Sequence, residues 1–367
     1  MPRVGLHMIV KDEAPVIDRC LRSVRGHVDW WVVSDTGSRD GTQELVRRAM
    51  EGVPGVLLER PWVSFGHNRQ EVLEAARALR LADPGDYTLW IDADDELTDA
   101  PAAWPELTLD GYALEVEYAG ARFQRLHLVR LDRPWRWTGA VHEHLDLPGA
   151  TTGGLAAPRI VQHHDGARSR DPQTYLKDAA LLEAELRERP GDPRAQFYLA
   201  QSWRDAGELE QALAAYRLRA ANHDGWEEER WYALFQVAVL LERTAAPAAD
   251  VADAYLAAYQ ARPTRAEPLV ELARFERGRE RFDVALLYAR VATGIAFPSG
   301  DALFVDADAH TWRAWDEVAV SSYWAGRYAD GVLAAQQALA IRPDDPRLQE
   351  NLAWCRAGGQ ATGTQTV

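Results

Sequence analysis

Residues 87–97 read YTLWIDADDEL, a short apolar run that ends in four carboxylates within five positions. Like charges this close repel, and withdrawing them from water is costly unless a cation compensates. The stretch therefore marks a buried strand that meets either solvent or a bound cation, and its neighbours decide the fold. RVGLHMIV (3–10), WWVVSD (30–35) and VLLER (56–60) are further strand candidates. Between them lie EAPVIDRCLRSVRGH (13–27), SRDGTQELVRRAMEG (38–52) and HNRQEVLEAARALRLA (67–82), with apolar residues at helical spacing. Strands alternating with helices predict an α/β domain with a mostly parallel, Rossmann-like sheet. Ligands of such sheets bind at the carboxyl ends of the strands. Three polar strand tails fall there: Lys11-Asp12-Glu13, Asp35-Thr36-Gly37-Ser38 and Asp92-Ala93-Asp94-Asp95. A single Asp after a strand is ordinarily a turn or cap residue. Three acidic ends on one edge point to a ligand instead.

Composition narrows the class. The 367 residues suffice for two or three domains, and a formal charge of -15 excludes a general nucleic-acid binder, which needs a basic face. Cys20 and Cys355 are the two cysteines, too far apart in sequence for a disulfide framework, so a reducing compartment, the cytoplasm, is expected. The opening MPRVGLHMIVKDE does not read as a signal peptide, and no apolar run reaches the roughly 20 residues of a membrane span. Fourteen Trp are more than a core of this size needs, and the surplus suits a sugar-handling or protein-binding surface.

Near residue 165 the chain changes character and becomes helical and repetitive. The stretches 192–220, 266–292 and 314–345 each read as two helices, with Gly207, Gly278 and Gly326 at the turns, and a further unit ends at 253–263. The interval from Tyr216 to Tyr255 to Tyr288 approximates the tetratricopeptide period of about 34 residues. FPSGDALFVDADAH (297–310) reads as an insertion before the last unit. Such repeats stack into a solenoid whose concave face commonly binds peptides or proteins. The expected organisation is a catalytic domain at 1–165, a helical domain at 166–358 and a disordered tail at 359–367.

The motifs together resemble family-2-type glycosyltransferases of the glycosyltransferase A fold. VGLHMIVKDEAPVIDRCLRSVRGHVDWWVVSDTGSRDGT follows that family's opening, with Asp12 where Asn is more common. WIDADDE resembles its Asp-x-Asp segment, and WRWTGAVHEHL (135–145) resembles the Trp-x-Gly-x-x-His-Glu segment of members that carry tetratricopeptide repeats. The resemblance implies a nucleotide-diphosphate sugar donor, a UDP-sugar by preference, and Mn²⁺ or Mg²⁺ as cofactor. It places Val10, Glu13, Asp35, Arg69, Asp92 and Ala93 at the donor nucleotide, with Asn68 beside Arg69 opening the third helix. Asp35 would accept from the base and Arg69 would pair with Asp35 or Asp92 or reach the diphosphate.

The chemistry asks for the same parts. A departing diphosphate is stabilised by a hard divalent cation that bridges phosphate to carboxylates. Asp94 is the expected ligand, and His164, next to His163 in APRIVQHHDG (157–166), is the expected second one by resemblance. An inverting transfer needs a carboxylate base at the acceptor, for which Glu143 is the candidate. Asp95, Trp135, Trp137 and His142 are candidates for contacts to the sugar or acceptor, with Asp95 alternatively capping a following helix. The acceptor expected is a peptide, a protein or a glycan, and homodimerisation through the helical half is a further expectation. The competing reading is a peptide-binding scaffold with a degenerate nucleotide domain. A nucleotidyltransferase is disfavoured because VKDEAP lacks a basic Gly-rich loop.

Overall fold

All seven residues of β1 (Val4–Val10) are buried, which is why VGLHMIV reads as an unbroken apolar run rather than an alternation. In the computed structural model, which describes residues 3–78, 83, 85–119 and 121–363, this strand lies inside the first of two units, Met1–Glu188 and Arg189–Val367. The chain continues through α1 (Ile17–Arg25), β2 (Trp30–Asp35), α2 (Thr42–Ala49), β3 (Gly55–Glu59), α3 (Phe65–Ala78) and β4 (Tyr87–Trp90). Each follows its sequence expectation closely; residues 79–82 of the expected third helix lie outside the described residues. The strands β1 to β4 are mutually parallel where they pair.

Two glycines let the indoles of β2 lie flat on the sheet. Gly5 is the register partner of Trp30 and Gly55 that of Trp31, and a Cβ on either would fall 2.1–2.4 Å from the ring. The two indoles serve opposite faces. Trp31 joins the core under α1 and α2 with Leu6, Met8, Ile17 and Val46. Trp30 joins the core under α3 with Val72, Leu73 and Trp90.

Beyond β4 the sheet becomes mixed. β5 (Asp95–Thr98), β6 (Gly111–Tyr118) and β7 (Ala121–Arg130) follow, then a hairpin of β8 (Arg136–Thr138) and β9 (His144–Asp146), then β10 (Thr152–Gln162). The strand order is β3-β2-β1-β4-β7-β6-β10-β5. Since β7 is antiparallel to both β4 and β6, and β10 is parallel to β6, the carboxyl ends of β1, β2, β4 and β10 share one edge. Residues 95–98, where helix capping by Asp95 is one alternative in the sequence, form a strand antiparallel to β10.

The expected boundary at residue 165 falls inside the first unit. Past it run α4 (Ala167–Arg170) and α5 (Thr174–Glu188), joined to each other by the Arg168–Asp178 pair and tied back by Glu185, whose Oε2 accepts from Ala140 N at 2.9 Å, and by Arg168, 4.9 Å over the Phe65 ring. The second unit pairs α6 (Pro193–Asp205) with α7 (Leu209–Ala221), α8 (Glu227–Arg243) with α9 (Ala248–Ala261), α10 (Glu267–Gly278) with α11 (Phe282–Thr293) and α12 (Trp312–Trp324) with α13 (Tyr328–Ile341), and ends in α14 (Pro346–Gly363). Ala212, Ala238, Ala258, Ala273, Ala289 and Ala319 are buried at the helix contacts, with Tyr216 and Tyr255 as the large knobs. Gly207 and Gly326 take left-handed turn conformations, whereas Gly278 ends α10 and Glu280 adopts the left-handed φ of 60°. Of the tail expected at 359–367, residues to Gly363 continue α14, and 364–367 lie outside the described residues.

Candidate active site

The loop after β1 is pinned to the loop after β2. Asp12 N donates to Ser38 Oγ at 2.9 Å, Glu13 N to Thr42 Oγ1 at 2.8 Å and Ala14 N to Asp40 at 2.9 Å. Asp12 has a φ of 54°, a left-handed conformation that Asp and Asn tolerate better than most residues. That is the physical equivalence behind Asp standing where Asn is more common. Val10, at the strand end, gives its carbonyl to Thr36 N and Oγ1 at 2.9 and 3.1 Å.

Asp35 ends β2 with one oxygen satisfied and one exposed to nothing. Its Oδ1 accepts from Gly37 N at 3.0 Å, Ser38 N at 2.9 Å and Gln43 Nε2 at 3.0 Å. Its Oδ2 is buried with no hydrogen-bond partner among the described residues. Burial acts to raise this carboxyl, and the bonds from Ser38, Gln43 and Gly37 outweigh it, so it is held below the usual carboxylate range. A charged acceptor left open in a buried place awaits a donor.

The end of β4 carries the carboxylates of the opening motif. Arg69, on the first turns of α3 and only 3 % exposed, bridges two of them. It bonds Asp92 and donates from Nε to Glu143 Oε1 at 2.6 Å. Its guanidinium also lies over the rings of Trp90 and Trp137, at 4.8 and 5.1 Å. Glu143 reaches it because the turn between β8 and β9 presses on α3: Phe65 N donates to Ala140 O, and a Cβ on Gly66 would fall 2.1 Å from Gly139 O. Burial would raise the Asp92 carboxyl, but Arg69 and Arg125 hold it low.

Among the described residues Asp94 and Asp95 lack a paired guanidinium, and the charges of His164 on Asp94 and Arg125 on Asp95 do not offset the effects that raise them. Burial, then the Asp92 charge, raise Asp94; burial with Asp92 and Asp94 pushes Asp95 up to about 8. Asp95 is 2 % exposed, with Gln162 Nε2 at 3.5 Å as its one side-chain neighbour. Glu13, raised to about 7 by burial and by Asp94 and Asp92, faces the same cluster. Two backbone N–H groups after β10 meet this charge, Gly166 N with Asp94 Oδ2 at 3.1 Å and Ala167 N with Glu13 Oε2 at 3.0 Å. A side chain at 166 would collide with Asp94, its Cβ only 2.8 Å from Oδ2. Arg19 fastens the segment by pairing with Asp165 at 2.7 Å while donating to Asp94 O at 2.6 Å.

Of the two histidines in this segment, His163 pairs with Glu96 at 3.1 Å. His164, exposed and with a φ of 54°, packs on Tyr118 and lies near enough for its charge to act on Asp94. No three His, Cys, Asp or Glu side chains among the described residues form a group arranged to hold a metal ion. The raised carboxyls of Asp94 and Asp95 mark the part of this edge where negative charge is least compensated.

Several sequence expectations change. Trp135 and Trp137, expected as walls of a sugar or acceptor site, are 2 % and 7 % exposed and belong to the core under α3. Asp95 starts a strand, so it caps no helix. Ala93 packs its methyl into the other core. Arg69 has its expected partner Asp92, and Glu143 in addition, at its guanidinium. His142 and His144 are exposed to either side of the buried Glu143. Gln43, Arg19 and Arg125 escaped the sequence reading; Gln43 directly follows the Asp-Gly-Thr motif, whereas the other two reveal themselves only once the strand ends are assembled.

Residues 6–107 match the family model described as glycosyl transferase family 2. A TPR repeat-containing protein of Synechococcus elongatus is 41% identical over 108 residues, 29% of this chain and 24% of that protein. The shared stretch thus spans about a quarter of that relative's length. Among solved structures, a tetratricopeptide repeat protein of Parabacteroides merdae aligns with a TM-score of 0.39 at 16% identity, over 52% of this chain and 69% of that one. A TPR protein of Thermus thermophilus aligns with a TM-score of 0.34 at 19% identity, over 50% and 91%. The chain thus carries a stretch that matches family-2 glycosyl transferases at 6–107 and continues past residue 188 as paired helices.

Proposed function

We propose that the protein is a metal-dependent glycosyltransferase of the hexosyltransferase class. It moves a sugar, with inversion, from a nucleotide-diphosphate donor, a UDP-sugar by preference, to a peptide, protein or glycan. The observation that carries this reading is the edge formed by β1, β2, β4 and β10, where the half-buried Asp94 and the buried Asp95 are both raised by burial and by neighbouring carboxylates, beside an open acceptor on Asp35. The family match over 6–107 supports it.

Asp35 Oδ2 is offered to an N–H of the base, and its low carboxyl keeps it an acceptor at neutral pH. Mn²⁺ or Mg²⁺, held by Asp94 and His164 with phosphate oxygens and water completing the shell, would supply charge stabilisation to the departing diphosphate. Glu143 is the acceptor's base. Arg69 holds its Oε1 and fixes the side chain, while Oε2 accepts no hydrogen bond among the described residues. Arg69 ties that base to Asp92 and so couples the acceptor side to the donor side.

The test is a screen of UDP-, GDP- and deoxythymidine-diphosphate sugars for release of the nucleotide diphosphate, with Mn²⁺ and with a chelator. Metal-dependent release from one donor class, lost in Glu143→Gln only when acceptor is present, is the expected result. Silence with every donor would leave the scaffold reading in its place.

A further inference from the structure

The helical unit holds a cavity of about 510 Å³ lined from α8, α9, α10 and the 294–311 segment. One wall is aromatic: Tyr232 meets Phe304 with ring centroids 4.9 Å apart, and Phe235 stacks at 5.7 Å on Trp231, which is itself buried under the Arg265 guanidinium. The other wall is a ladder of alternating charge. Arg274 joins Glu242 at 2.6 Å to Glu271 at 2.7 Å, Arg313 joins Glu271 to Asp306, and Arg265 holds Glu267 at 2.9 Å.

The insertion is built to complete this cavity. Arg262 grips Asp301 at 2.7 Å, Glu228 accepts from Ala302 and Leu303 N at 2.9 and 2.7 Å, and Arg265 donates to Phe304 O at 2.9 Å. These bonds hold Phe304 at a φ of 46° with its ring 53% exposed. A non-glycine residue keeps such a φ only where its surroundings over-determine it. Presenting that ring at the cavity is what the insertion does.

We propose that this cavity binds a neutral oligosaccharide, an inference that goes beyond the transferase reading and does not depend on it. Each carboxylate of the wall already has a guanidinium, so a cationic ligand would have to break existing pairs, and Arg243, which also lines the cavity, has donors to offer a ligand's hydroxyl oxygens. A hydroxyl, at once donor and acceptor, bridges a guanidinium N–H and the neighbouring carboxylate oxygen while leaving the pair intact. The apolar face of a sugar ring packs on the aromatic wall, and the volume lies within the several hundred Å³ usual for small-ligand sites. A peptide backbone is best held by Asn or Gln, which pair with its N–H and C=O together; the lining contains neither.

The experiment exposes the full-length protein to arrays of neutral glycans, acidic glycans and peptides, then titrates the strongest ligand by calorimetry. Neutral glycans are expected to bind. Phe304→Ala and the cavity-filling Val239→Trp should each weaken that binding by about tenfold or more, whereas Asp94→Ala should leave it within about twofold. Failure to bind any neutral glycan, binding confined to acidic glycans or peptides, or binding indifferent to both cavity variants in folded protein would each overturn the proposal.

Discussion

In the helical unit Glu267 is held at about 2, although burial alone would raise it, because His310 and Arg265 sit against it. At the strand edge Asp95 is pushed to about 8 by burial and by two further carboxylates. Both are buried acids. They differ in whether the fold supplies a counter-charge. Around Glu267, Glu271 and Asp301 the chain places an arginine for each carboxylate, whereas the edge provides Arg69 for Asp92 and Glu143 and leaves Asp94, Asp95 and Glu13 to repel one another. Where a protein completes its own electrostatics the charges build structure. Where it does not, the open charge marks a candidate for ligand binding.

The contrast is tested most strongly by removing a compensating charge. Arg265→Ala takes the guanidinium from Glu267 and leaves it His310, uncovers Trp231 and removes the bonds to Leu303 O and Phe304 O, and should destabilise the helical unit by about 3–5 kcal/mol. Hydrogen exchange of α8 and α10 measures it, and unchanged protection would break the comparison. The reverse holds at the edge: Asp94→Ala removes a repelling charge, so transfer should fall at least about 100-fold while the first unit melts no lower. A large loss of melting temperature there would make Asp94 structural.

A pH series on metal-free protein sharpens the same point. Asp95 at about 8 and Glu13 at about 7 both lie above their ordinary values of 3.8 and 4.5, so the folded state binds protons that the unfolded state releases. Their contribution is complete at low pH and lost as pH rises through 7 to 8. His7 and His127, lowered from 6.5 to about 3 by burial, oppose this only below 6.5. Between pH 8 and 6.5 the first unit should therefore gain stability as pH falls, and Asp95→Asn should flatten the slope, read from exchange of the β1 and β4 amides. The smallest effect belongs to the exposed Arg290–Asp330 pair, about half exposed on each side: Arg290→Ala should change stability by under about 1 kcal/mol.

The parallel half of the sheet was legible because buried strands and amphipathic helices alternate in sequence as they do in space; the acidic tails then fell on one edge by the geometry of parallel strands alone. The antiparallel half was not. Its register joins Asp95 to Gln162 and Leu128 to Tyr112, pairings with no local signal, so helix capping by Asp95 stayed open as an alternative. Trp135 and Trp137 misled for a related reason: indoles beside a polar motif look like a binding wall until α3 is seen covering them. The Arg69 clamp closes over 74 residues to Glu143, a distance that sequence spacing cannot bridge. The repeats, periodic by nature, were legible as helix pairs, but the Arg265 and Arg274 ladders were not.

The most direct test of the central claim, that the strand edge lacks a positive charge which a ligand supplies, is calorimetric titration of UDP into the protein with and without Mn²⁺, alongside Asp94→Ala. Binding that requires Mn²⁺ and disappears in the variant is the expected result. UDP binding indifferent to both Mn²⁺ and Asp94, or no binding of UDP, GDP or deoxythymidine diphosphate under any condition, would contradict it.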